Sequence, residues 1–232
     1  MKQTTKDRLI PASLILLGLV PALAGSARLA QLASGAAITP ENARFFAAPV
    51  PVLLHIPAAI IYAMLGAFQF APGFRKRHRR LHRLSGMLLI PTALVVALTG
   101  LWMAHFYPWP AGDGVIVYVE RLIVGAAMLV SIAMGIDAIR RRAFHEHGEW
   151  MTRAFALAMG AGTQVFTHLP WFMLSDAKPG ELPRGIMMGG AWLINIVVAE
   201  WIIRRARTPR AVMRATTFRT AGATMARALH ET

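Results

Sequence analysis

Six stretches of this sequence run, almost without charge, for about the 20 residues that a bilayer core requires of a helix. They extend approximately from Leu9 to Ala30, Val52 to Phe70, Leu84 to His105, Val115 to Ile139, Trp150 to Leu174 and Ile186 to Ile203. In lipid every backbone N–H and C=O has to be satisfied within its own segment, so these runs predict helices. Short loops between them predict a bundle. The expected fold is all-α: a polytopic membrane protein of six transmembrane helices, with one domain over residues 1–204 and a basic tail over 205–232.

Composition supports that class. The chain is 56% hydrophobic and only 16% charged, too apolar for an ordinary soluble domain. Its net charge of +14 would suggest nucleic acid in a soluble protein; here it should lie on one side of a bilayer. The expected partner is therefore lipid, and no nucleic acid. The first run follows Lys2, Lys6 and Arg8 and carries small residues at Ala24 to Ala27, as a signal peptide does. It is long for a secretory core of roughly 7–15 residues, so an uncleaved helix is expected.

Charge asymmetry sets the orientation. The N-terminus, the hinge from Arg75 to Arg83, the segment from Arg140 to Arg153 and the tail from Arg204 hold twenty of the 25 Lys and Arg. Arg28, Arg44, Arg121, Lys178 and Arg184 make up the rest. The two sets alternate as six spans require, which puts both termini in the cytoplasm. The opposite loops, with their Pro, Gly and Asp, read as turns. No internal repeat is visible.

This topology places the histidines by depth. His55 lies about 5–8 Å below the outer surface and His168 at a comparable depth, while His82 opens the third span and His147 precedes the fifth. His105 falls at the outer boundary, His78 and His145 on the inner side, and His230 in the tail. Two tiers result. If the fifth span is one straight helix, His147 and His168 stand about 31 Å apart in height and about 60° apart in azimuth, so that it supplies one ligand to each tier. The faces carrying these residues are rich in Gly, Ala, Ser and Thr, which close packing in lipid also selects. A buried imidazole is costlier there and points to an interior or a cavity. Arg153, one turn into the fifth span, is placed to pair with Asp137 or to hold an anionic group such as a haem propionate or a lipid phosphate.

The run GAFQFAPGFRKRHRRLHRLSG, with His55 ahead of it, and HGEWMTRAFAL from His147 resemble the bacterial membrane-protein family catalogued as domain of unknown function 2306. His55, Gln69, Arg75, His82, Gly86, His147, Trp150, Met151 and Arg153 carry the likeness, which covers roughly Val52 to His168. It implies a multi-helix protein of the bacterial inner membrane and brings no activity with it. The family pattern often continues with a further arginine where this chain has Thr167-His168, so a role for His168 rests on geometry.

The layout is also similar to that of cytochrome b561-type proteins, six-helix bundles with two b-type haems, one near each membrane face. LHRLSG around His82 is similar to the start of their haem-binding helices. The chain has no cysteine, so thiolate metal sites and c-type haem attachment are excluded and redox chemistry would rest on histidine. Haem b would take His82 with His147 on the inner side and His55 with His168 on the outer, with quinone or another redox partner exchanging electrons. Two other classes stand beside this one. A non-redox transporter or accessory subunit would use its histidines for proton relay or packing, though neither inverted repeats nor broken helices are evident. A histidine-box oxygenase would need a non-haem metal on His82 and His147, and more histidines than the four at that face.

Overall fold

The computed structural model describes residues 3–230, and side-chain surroundings throughout that range except at 3, 4, 6, 72 and 208–230. The described residues form helices joined by turns. In order these are α1 (Gln3–Ala33), α2 (Ala43–Ala47), α3 (Pro49–Gln69), α4 (Pro72–Arg77), α5 (Arg79–Phe106), α6 (Val115–Arg140), α7 (Phe144–Ala158), α8 (Gly160–Leu174) and α9 (Glu181–His230). Two compact units divide the chain, residues 1–196 and 197–232, and α9 runs from the first into the second. The tail expected from 205 belongs to the second unit. Its side chains from 208 onward, His230 included, lie outside the described residues.

Among the described residues five helices are long and apolar enough to cross a membrane: α1, α3, α5, α6 and α9. Prolines at 11, 21, 57 and 91 sit inside three of them, where a soluble helix would more often break. Hydroxyls inside the helices are satisfied locally, as Ser13 bonds Leu9 O, Ser26 bonds Ala22 O and Ser131 bonds Ala127 O, each four residues back. Large apolar side chains such as Leu16, Met87, Leu98, Phe166 and Leu174 lie exposed on the helices. Lipid is the solvent that suits such a surface.

The fifth expected span is not one helix. From Phe144 to Leu174 the chain forms α7 and α8, which meet at Met159. Gly162 N bonds Met159 O in a tightened turn, and the carbonyl of Ala156, which Gly160 N would take in an unbroken helix, receives Asn195 Nδ2 of α9 at 3.0 Å. The cause is close packing. A Cβ at Gly160 would collide with the Trp192 indole, and one at Gly162 with the backbone carbonyl of Leu17 in α1. His147 and His168 thus stand on separate helices, and the expectation of one straight helix serving both tiers is corrected. So is the expectation that no helix is broken.

The core of the first unit forms around α7. Ala154, Phe155 and Leu157 are buried against Tyr62 of α3, Leu89, Ala93 and Ala97 of α5, and Met128 and Ile132 of α6. The Phe155 ring lies 5.6 Å from that of Tyr62 and 4.8 Å from that of Phe70, in space left by Gly66. α1 packs on α3 and α8, and its Asp7 accepts Gly73 N of α4 at 2.6 Å. That contact seats the start of α1 on the basic hinge. The first part of α9 approaches α6 through Gly185 and Gly189, and holds α8 where Thr167 donates to Met187 O at 2.8 Å.

Candidate functional site

Two of the histidines at the basic end, His82 and His147, lie within electrostatic reach of each other. His147 sits in the first turn of α7 with its Nδ1 2.8 Å from Gly135 O of α6. A carbonyl only accepts, so Nδ1 carries a proton and Nε2 is the ring nitrogen left for a ligand. His82, in the first turn of α5, is half-buried and within electrostatic reach of both His147 and Arg75. Its Nδ1 is buried and has no hydrogen-bond partner among the described residues. The Phe74 ring of the hinge stands edge-on to it, 6.5 Å between centroids.

Glycines border both imidazoles. A Cβ added at Gly86, one turn after His82, or at Gly148, next to His147, would meet no atom within 4 Å. Gln69 Nε2 donates to Ser85 Oγ at 2.6 Å, and Ser85 spends its own proton on Leu81 O, tying the end of α3 to the first turns of α5. Arg153 lies with its guanidinium 4.6 Å from the Trp150 ring. Asp137, offered above as a partner for Arg153, is engaged by Arg141 at 2.8 Å, one turn on, and Arg141 also reaches Glu146 of α7 at 3.0 Å. His145 pairs with Glu149 at 3.0 Å, and His78 is exposed beside Phe74.

At the other end the histidines take separate neighbours. His55 turns toward α5, its Nδ1 2.9 Å from Thr99 Oγ1 and its ring against Gly100. Thr99 gives its only proton to Val95 O, so it must accept from His55 Nδ1–H. His168, buried in α8, bonds Gln164 O of its own helix at 2.8 Å and stacks on Phe172. α3 packs on α1 and α5, whereas α8 packs on α1 and the start of α9. His105 bonds Tyr118 OH at 2.9 Å. Among the described residues no cluster of three or more His, Asp or Glu could hold a metal ion, which leaves the histidine-box arrangement without a ligand set.

Two participants escape a reading of the sequence by depth. Gly135 acts through its carbonyl, which no side-chain pattern advertises. Asn195 does leave a signal, as a lone amide in an apolar run, and that alone would have marked it as a helix-to-helix contact.

Comparison with known proteins agrees with the membrane architecture. No curated protein and no solved structure matches the chain. The model of a family of predicted membrane proteins, DUF2306, matches residues 52–203, taking in α3 through the first turns of α9 and all four candidate histidines. With well over half its length inside that match, the chain belongs to the DUF2306 family of membrane proteins.

Proposed function

We propose that this protein binds a b-type haem at its basic end through His82 and His147, and serves in electron transfer in the bacterial cytoplasmic membrane with that end inside the cell. The observation that carries the reading is the state of the two rings. His147 has its Nδ1–H committed to a backbone carbonyl, the outer hydrogen bond that orients a metal-ligating imidazole, and His82 beside it holds a buried nitrogen with nothing to satisfy it. Gly86 and Gly148, near the two histidines in the chain, have open space beside them, and Arg75 lies within electrostatic reach of His82 as a cation for a propionate. Haem, when bound, would supply one-electron redox chemistry. The residues' own part is to orient the His147 ring through the Gly135 carbonyl and to shield the His82 ring with Phe74. Quinone or a soluble reductant is the partner class that fits such a carrier. The outer pair, His55 with His168, has no comparable support, so one haem per chain is the expectation.

The test is direct. Protein purified in mild detergent from haem-replete cells should show a Soret band and a reducible α-band, at one haem b per chain. A monodisperse preparation without a Soret band overturns the proposal. One observation favours transport instead: the break at Met159, where Asn195 bridges Ala156 O and Thr163, is a mid-span discontinuity of the kind transporters use. Uptake driven by a proton gradient, in haem-free protein reconstituted into liposomes, would establish that reading.

A further inference from the structure

Orientation by charge explains twenty of the 25 Lys and Arg and leaves five on the opposite side. Four of those five gather around one place. Arg28 and Arg44 both lie over the ring of Phe45, their guanidinium carbons 4.6 and 4.7 Å from its centroid. Arg121 and Arg184 both bind Asp113, whose side chain is 1% exposed. Between them opens a cavity of about 260 Å³, walled by Arg44, Arg121, His55, Tyr107 and Trp109.

The charges in this place do not balance. Asp113 is shared by two guanidiniums and Glu120 lies within electrostatic reach of Arg121, while the other two arginines have neutral hydrogen-bond partners: Arg28 donates to Gln31 Oε1 at 2.5 Å, and Arg44 to the Pro108 carbonyl at 3.2 Å. Arg44 Nε is buried without a hydrogen-bond partner among the described residues. Burial, and next the neighbouring charge of Arg121, hold the Arg44 guanidinium below its ordinary pKa. Two cations thus face one cavity, one of them with an unspent donor, at the level where Tyr107 and Trp109 mark the edge of an apolar span. Guanidinium pairs of this kind are suited to oxyanions, which accept forked hydrogen bonds.

We infer that the cavity between α2, the end of α3 nearest it, α5 and α6 binds a phosphoryl group, with Arg44 and Arg121 as its ligands. The cavity is large enough for one phosphate, either free or at the head of a membrane lipid. The site is separate from the histidines at the basic end and does not depend on haem.

Two probes distinguish the sources. Full-length protein in a neutral sugar detergent is titrated with inorganic phosphate while its Tm is followed. The same protein in nanodiscs of phosphatidylcholine with a minority of phosphatidylglycerol is extracted, and the phosphatidylglycerol it retains is measured. Arg44→Gln is compared with wild type and with Arg140→Gln, an exposed arginine at the basic end. Retention of phosphatidylglycerol that falls about tenfold in Arg44→Gln, but not in Arg140→Gln, supports the site with lipid as its source. A phosphate-dependent rise in Tm that Arg44→Gln abolishes supports it with the free anion. If both probes treat wild type and Arg44→Gln alike, the proposal is overturned. Should Arg44→Gln not yield monodisperse protein, Arg121→Gln is read by the same criteria, since Arg184 remains to neutralise Asp113.

Discussion

Polar groups inside apolar helices are tolerated when each finds a partner, and Asn195 serves two at once. Its Nδ2 donates to the freed Ala156 carbonyl, and its Oδ1 accepts from Thr163 Oγ1 at 2.7 Å. Asn195→Leu keeps the size and removes both bonds, so thermal unfolding in detergent should register a loss of about 1–2 kcal/mol, with Asn195 variants more affected than those at exposed Leu193. Tyr107 offers a pH-dependent counterpart at a loop. Its phenol donates to Ala48 O at 2.6 Å, and burial holds its pKa above the ordinary value. The folded chain therefore keeps this proton when the unfolded chain gives it up, and stability falls as pH rises past about 10. In Tyr107→Phe, Tm at neutral pH should be lower and the alkaline decline shallower. At this scale the sequence announces residue types well. His55, His82, His147 and His168 were legible as candidates because an imidazole in or at the edge of an apolar run is conspicuous; that His82 lies within electrostatic reach of His147 while His55 turns to Thr99 is settled by helix rotation, which residue counting over a broken span could not supply.

At the scale of elements, the apolar runs translate almost directly into α1, α3, α5, α6 and α9. The exception is the segment from Phe144 to Leu174, and its hydropathy gave no warning, since a break at Met159 leaves the composition of the run unchanged. The hint lay in Gly160 and Gly162, two glycines one residue apart within the span, but a glycine pair alone does not distinguish packing from a kink. Contacts decide it: Gly162 lets α8 approach the backbone of α1, and no flexible side chain can yield there. Gly162→Ala should lower stability by about 1–3 kcal/mol, measured as Tm in detergent. Gly66→Ala should cost less, because the Phe155 ring that it meets can shift, and Gly86→Ala, with open space beside it, should be neutral or stabilising in haem-free protein.

Across the whole molecule, lipid determines the outer surface and charge marks one end, so membrane class and family could be read from composition and from the hinge sequence. What composition could not provide is which exceptions matter. The five Lys and Arg outside the basic segments looked like scatter, and four of them converge on Asp113 and Phe45. Likewise the histidines looked like two equal tiers, whereas among the described residues His82 and His147 are the pair within electrostatic reach of each other, and His82 has a buried ring nitrogen without a partner. The central claim is that His82 and His147 hold a haem. The reduced-minus-oxidised absorption spectrum of the purified protein tests it most directly, taken for wild type, His82→Ala, His147→Ala and His168→Ala at equal protein concentration. The account predicts an α-band in wild type and His168→Ala that is lost or reduced at least about tenfold in His82→Ala and His147→Ala. An α-band unchanged in both of those variants, or missing from monodisperse wild type, would contradict it.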